Sequence, residues 1–177
     1  EGSCCQEAHK MAWWLVFGGI AGGDAANAEV VMVWSRNPFF STLDNNRMYY
    51  DLFEQGKKFI VIDPRKTSFS QKAWLHLQPR PGTDGALALG MANVIIREDL
   101  YDRDFVSNYV SGFEEFSAMV MDYPPERAEA LTGVPAEKIV LAARTYAAAK
   151  PAALLPPPSF TMSTAYRITA PSSLLSR

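Results

Sequence analysis

Asp63 and Asp84 are carboxylates that the chain's own punctuation places at the ends of regular elements, where an acid can hold a ligand. Asp63 follows the apolar, β-branched run Phe59 to Ile62, which is bounded by Lys57-Lys58 and by Asp63-Pro64. Such a run suits a parallel strand covered on both faces. Pro64 cannot extend a strand ladder and disfavours a helical conformation at the residue before it, so Asp63 marks the strand's carboxyl end. Asp84 lies in Arg80-Pro81-Gly82-Thr83-Asp84, where Thr83 or Asp84 can N-cap a helix beginning near Gly85. Ligands of open α/β sheets bind beyond the carboxyl ends of the strands. An ionised carboxylate accepts hydrogen bonds and cannot donate them, which matches the hydroxyls of a ribose or the amide and amino protons of a guanine. The same residues also have a purely structural reading, in which Asp63 closes a turn and Asp84 caps a helix.

The elements that would position these acids follow from periodicity. Glu29 to Trp34 (EVVMVW) reads as a buried strand, and Thr42 to Gln55 as a helix with Leu43, Met48, Leu52 and Phe53 inward and Gly56 as its stop. With the strand ending at Asp63 they make a right-handed βαβ unit. Trp74 to Leu77 is a second short extended segment, and Gly85 to Arg97 a helix so apolar that it must be buried on several sides. Asp102 to Val110 and Phe113 to Met121 read as amphipathic helices, Pro124-Pro125 as the start of a short turn, and Ala136 to Ala149 as a helix with Ile139, Ala142, Ala143 and Tyr146 along one face. Ala152 to Leu155 reads as a third strand. The fold class is therefore α/β: a Rossmann-like, three-layer parallel sheet flanked by helices.

At the start, Gln6 to Phe17 has helical composition, with Ala8, Met11, Ala12, Leu15 and Val16 repeating at helical spacing and Gly18-Gly19 ending it. The glycine-rich stretch that follows, GGIAGGDAANAE, precedes a strand. A dinucleotide fingerprint requires the reverse order, so phosphate binding is not assigned there. Trp13, Trp14, Phe39, Phe40, Tyr49 and Tyr50 read as core, and His76 sits inside a short strand with no partner visible in sequence.

The chain has 177 residues, 48% hydrophobic and 20% charged, with a net charge of -2. These are the proportions of an ordinary globular protein, and no basic excess points to nucleic acid. The longest apolar runs, such as Met11 to Ile20, fall short of the roughly 20 residues a transmembrane segment needs, and no cleavable leader pattern is present. The cysteines, Cys4 and Cys5, are adjacent, which gives neither a disulfide framework nor a CxxC pair. Residues 1–155 read as the α/β unit. Residues 156–177, rich in Ser, Thr and Pro without an apolar period, read as an irregular tail.

The segments DPRKT and RPGTDGALALGMANVII, followed in order by LYDRDFVSNYVSGFEEF, TGVPAEKIVLAARTYA and KPAALL, resemble the molybdopterin oxidoreductase family of the dimethyl sulfoxide reductase type. The resemblance implies molybdopterin guanine dinucleotide with molybdenum or tungsten, and two-electron redox or oxygen-atom transfer on a small substrate. It implies a nucleotide grip formed by Trp34, Ser35, Arg36, Asn37 and Pro38, by Asp63, Pro64, Arg65, Lys66 and Thr67, and by Gly82, Thr83 and Asp84. Arg65 and Lys66 would meet the pyrophosphate; their plain alternative is a solvated loop. The family usually shows Trp-Gly-x-Asn-Pro at the first of these loops, and Ser35 stands here in the glycine position. If that position requires positive φ or a close approach to the cofactor, Ser35 costs roughly 1 kcal/mol.

In the family a side chain near the start of a helix ending in Phe-Gly binds the metal. By that resemblance Cys5 is the metal ligand, with Cys4 one residue out of register, and His9 lies four residues beyond Cys5. A thiolate is a soft ligand for such a metal, and a helix N-terminus lowers its pKa. Cysteine ligation resembles the formate dehydrogenase, periplasmic nitrate reductase, sulfur-compound reductase and acetylene hydratase branches.

The family's catalytic subunits are several times longer, so the chain is expected to be an internal piece, and Glu1 in place of Met agrees. A 4Fe-4S cluster is expected only in the missing N-terminal part, and an iron-sulfur electron-transfer subunit is the partner implied. The cytoplasm is favoured, with export left open. The relatives continue differently after Ser-Phe-Thr, and a base lost near Thr161 would put Met162 to Arg177 out of frame. Two alternatives carry no catalysis: a nucleotide-binding α/β module and a decayed remnant.

Overall fold

The computed structural model describes residues 7–19, 23–41 and 46–155. Strands β1 (Val30–Trp34), β2 (Lys58–Ile62), β3 (Leu75–Leu77) and β4 (Ala152–Leu155) form one four-stranded sheet in the order β3-β2-β1-β4. Every pairing is parallel. The registers Trp34↔Ile62 and Ile62↔Leu77 bring the carboxyl ends of β1, β2 and β3 to one level. Strands buried on both faces need no polar alternation, and β1 is buried along its whole length.

Alternate residues face two separate cores. Val30, Met32, Trp34, Ile60, Ile62 and Leu77 pack on one side with Leu87, Met91, Ile139, Ala142 and Ala143. These come from α4 (Asp84–Arg97) and α8 (Ala136–Ala148). Val31, Val33, Phe59 and Val61 pack on the other side with Tyr49 and Leu52 of α3 (Asn46–Glu54), and with Phe39 and Phe69. The result is a helix–sheet–helix sandwich, the three-layer α/β fold expected from the βαβ pattern. Each fully buried aliphatic or aromatic side chain in these cores contributes about 1.5–3 kcal/mol through removal from water.

The helical layer beyond α4 is built from α5 (Arg103–Tyr109), α6 (Phe113–Met121) and α7 (Pro125–Thr132). Asp102 caps α5, its side chain accepting from the Phe105 amide. The segment after Pro124 is a helix and not the short turn expected from Pro124-Pro125. Pro125 stands at its first position, where a missing N–H costs nothing, and Gly133 ends it at φ 77°. The crossover to β2 also departs from expectation. A one-turn helix, α2 (Pro38–Ser41), comes first, and α3 is described from Asn46 to Glu54; residues 42–45, Leu43 among them, lie outside the described residues.

The aromatic residues expected in the core divide. Phe39 and Tyr49 are buried, whereas Phe40, Tyr50 and Trp14 are exposed and Trp13 is half-buried. Neighbours on a helix point about 100° apart, so Phe39 and Phe40 cannot both enter the same layer. Helix α1 (Glu7–Phe17) leaves Met11, Leu15, Val16 and Phe17 exposed as well. No helix among the described residues is long and apolar enough to cross a membrane.

Two contacts fix the helical layer. A Cβ at Gly90 of α4 would lie 2.6 Å from the Ala128 Cβ of α7, so glycine sets how closely those helices approach. Arg144 of α8 grips Glu98 at the end of α4 with paired contacts of 2.7 and 2.8 Å, and these hold the Glu98 carboxyl below its ordinary range.

Gly90→Ala should lower stability by about 1–2 kcal/mol, overpacking outweighing the gain in helix propensity. Urea unfolding is the measurement, with Ala128→Gly in the same chain recovering part of the loss. Because the folded-state pKa of Glu98 is depressed, its pair with Arg144 stabilises the fold above the ordinary carboxylate range and ceases to do so as pH falls through the folded value. Glu98→Gln should flatten that acid limb in a series of melting temperatures against pH.

Candidate functional site at the carboxyl edge of the sheet

At the carboxyl edge the ladder runs out, and the loops leaving it take over its hydrogen bonding. The Ser35 amide donates to the Ile62 carbonyl at 2.7 Å and the Asp63 amide to the Leu77 carbonyl at 3.1 Å, so each loop begins tied to the neighbouring strand. Ser35 has φ 47°, a left-handed conformation that a glycine adopts without strain. The condition attached to that substitution is met: the position does require positive φ.

Asp63 is 5% exposed and anchored at each polar end that the edge offers. Its Oδ1 accepts from the Arg65 amide at 2.7 Å, closing the turn that Pro64 starts. His76 Nε2 lies 2.9 Å from the Asp63 carbonyl; a carbonyl only accepts, so Nε2 carries the proton. Gln78 Nε2 donates to the Pro64 carbonyl at 3.2 Å. The loop is extended by reciprocal bonds between Thr67 and Ser70: the Thr67 amide to Ser70 Oγ at 2.8 Å and the Ser70 amide to Thr67 Oγ1 at 3.0 Å. Arg65 and Lys66 are exposed on it.

The third loop approaches from β3. The Thr83 amide and hydroxyl both donate to the Arg80 carbonyl, at 3.1 and 2.7 Å, and Gly82 turns the chain at φ 84° with nothing within 4 Å of where a Cβ would stand. Neither acid nor hydroxyl caps α4 as the sequence suggested. Thr83 occupies the cap position without a side-chain cap bond. Asp84, the first helical residue, turns inward: its Oδ1 accepts from the Trp34 indole Nε1 at 2.8 Å in a buried contact. This bond joins the end of β1 to the start of α4.

The structure thus brings the three predicted segments, 34–38, 63–67 and 82–84, to one edge of the sheet. Arg36 lies close enough to Tyr49 for its charge to act on the phenol, although burial is the larger effect and raises the Tyr49 pKa. Asn37 and Pro38 lead into α2. The two carboxylates are engaged and largely covered, Asp84 being 8% exposed. The groups left accessible are Arg65, Lys66 and Gly82, with Ser35, Arg36, Thr67 and Thr83 half-buried. Cys4 and Cys5 lie outside the described residues, and among the described residues no group of three or more His, Cys, Asp or Glu is arranged to hold a metal. Sequence reasoning missed the roles of His76, Gln78 and Arg80. The signal was there: polar residues at 76, 78 and 80 alternate with Leu75, Leu77 and Pro79.

A family model described as molybdopterin oxidoreductase matches residues 5–164. Formate dehydrogenase H of Escherichia coli is 41% identical over 129 residues, covering 73% of this chain and 18% of that protein. The thiosulfate reductase molybdopterin-containing subunit of Salmonella typhimurium is 36% identical over 157 residues, covering 88% of this chain and 21% of that protein. The solved structure of acetylene hydratase from Pelobacter acetylenicus superposes with a TM-score of 0.85 at 32% identity, over 94% of this chain and 23% of that one. The chain spans about a fifth of the length of these relatives.

Asp84→Leu removes the acceptor that Asp84 offers the buried Trp34 indole N–H and should cost about 1–3 kcal/mol, whereas Asp84→Asn keeps an oxygen there and should cost less. Chemical denaturation of both variants in wild-type and Trp34→Phe backgrounds checks this; the penalty should shrink when the donor is absent. Ser35→Gly should raise the melting temperature by about 2–4 °C through relief of roughly 1 kcal/mol of left-handed strain.

Proposed function

Because the chain belongs to the molybdopterin oxidoreductase family, we propose that its carboxyl edge holds the nucleotide end of a molybdopterin guanine dinucleotide. The enzyme would carry molybdenum or tungsten and perform two-electron redox or oxygen-atom transfer on a small substrate. The observation that carries this reading is the buried Trp34–Asp84 bond, which draws the 34–38 and 82–84 segments together beside the Asp63 turn.

The donor set suits the group. Asp63 and Asp84 supply acceptor-only oxygens beside the loops, the chemistry that ribose hydroxyls and guanine N–H groups require. Arg36, Arg65 and Lys66 offer cationic donors for a pyrophosphate. Gly82, with open space where a side chain would be, lets a ligand approach the backbone, and Ser35 keeps the left-handed path of the usual glycine. When bound, the metal and its pterins supply the redox chemistry, and the protein supplies grip, orientation and electrostatics. Cys5 is the proposed metal ligand. A 4Fe-4S cluster in a region preceding this segment, and an iron-sulfur partner subunit, would carry the electrons away.

The test uses the full-length protein purified from a host that makes the cofactor, with metal measured by mass spectrometry and GMP by release in mild acid. Molybdenum or tungsten together with GMP in excess of metal is the expected result. Asp63→Ala should lower the GMP content, while Cys5→Ser should abolish turnover and leave GMP bound. A folded protein carrying neither metal nor GMP would mean a module or remnant without this chemistry.

A further inference from the structure

His76, Gln78 and Arg80 follow one another at every second residue along β3 and its extension. A strand turns alternate side chains to opposite sides, and burial keeps that period: Leu77 and Pro79 are buried while Gln78 and Arg80 are exposed. The apolar members enter the core under α4. The polar members reach backbone carbonyls of other segments. His76 bonds to the Asp63 carbonyl and Gln78 to the Pro64 carbonyl.

Arg80 reaches the opposite way. Its Nη1 donates to the Ala130 and Leu131 carbonyls at 3.0 and 3.3 Å, and its amide to the Thr132 carbonyl at 2.8 Å. These are carbonyls at the end of α7, where a helix lacks its own donors and a cation is favoured. A Cβ at Gly133 would stand 3.4 Å from the Arg80 Nε, so the helix stop and the guanidinium are fitted to each other. The Arg80 carbonyl then accepts from both the amide and the hydroxyl of Thr83. The turn that delivers Asp84 to Trp34 therefore hangs from a residue fastened to α7.

We propose that His76, Gln78 and Arg80 act as one row of positioning residues, setting the Asp63–Thr67 loop and the Gly82–Asp84 turn relative to each other and thereby the retention of the nucleotide. The row rests on the cofactor reading given above for its consequence, though not for its geometry. His76 and Gln78 fix the height of the Asp63 turn above β2, and Arg80 fixes the Gly82 turn against the helical layer. Since His76 stands in β3 and Gln78 and Arg80 follow it at the same two-residue period, the spacing between the loops is inherited from the pitch of that segment.

The experiment uses the full-length protein with the variants His76→Leu, Gln78→Leu and Arg80→Leu, the first two also combined, and His76→Gln as a conservative replacement that keeps a donor. Amide hydrogen exchange reads the loops whether or not cofactor is present. The Arg65 and Thr67 amides, bonded within the Asp63 loop, should exchange roughly fivefold faster for each bond lost from the row. The Thr83 amide should respond in the same way to Arg80→Leu, and β1 and β2 should keep their protection. GMP should then dissociate several-fold faster from the leucine variants, whose melting temperature falls by no more than the few degrees a lost hydrogen bond accounts for, with His76→Gln close to wild type.

Unchanged exchange in both loops would overturn the proposal. So would faster exchange with no change in GMP dissociation, because the loops would then be held without consequence for the nucleotide. Wild-type protein that folds and carries no GMP would refute the cofactor reading and, with it, the retention consequence of the row. The exchange rates alone would still decide whether the row positions the loops.

Discussion

Parallel strands that end together leave their last amides and carbonyls on one edge with no further strand to pair, and buried backbone groups must find partners somewhere. The carboxyl edge of this sheet is arranged around that requirement. Ser35 and Asp63 turn back to the neighbouring strand, the Asp63 side chain serves the Arg65 amide, and side chains of the β3 segment serve the Asp63 and Pro64 carbonyls. Each bond satisfies a stranded group and in doing so fixes the path of a loop. Site geometry and backbone satisfaction are one problem here, solved by the same side chains.

The fold was legible because its strands are continuous apolar runs. Val30 to Trp34 and Phe59 to Ile62 are buried on both faces, and only a two-sided sheet can use such segments. The three candidate segments were picked out through the family's motifs, and their convergence at one edge follows from strands that run parallel. The roles of individual side chains were less accessible. The structural role open to Asp84 in the sequence was a local cap, because capping is decided within a few residues, whereas its partner Trp34 lies 50 positions away. His76 showed no partner because that partner is a main-chain carbonyl, which leaves no trace in composition. Helix α7 was read as a turn because Pro124-Pro125 is punctuation that both structures share.

The structural and functional readings of the two acids are not exclusive. Asp63 does close a turn and Asp84 does hold a neighbouring element. A carboxylate already held by a fixed donor is also one whose remaining acceptor directions are set before any ligand arrives, so its side chain has little freedom left to lose on binding. The strained backbone at Ser35 has the same character: an unfavourable conformation kept by the strand that precedes it and by the bond of its own amide to the Ile62 carbonyl.

The position of β4 has a consequence for how the chain assembles. Strand β1 lies between β2 and β4, pairing Val30 with Lys58 on one side and with Ala152 on the other. The first partner is close in sequence, whereas the Glu29 carboxylate meets the Lys150 amide across a separation of 121 residues. On the ribosome the β1-β2-β3 half is complete while β4 is still unmade, and β1, buried along its whole length in the finished sheet, waits as an open edge. Such an edge can recruit any extended segment nearby. Closing the sheet is therefore a non-local step of folding, and the nascent segment stays in need of protection until β4 emerges.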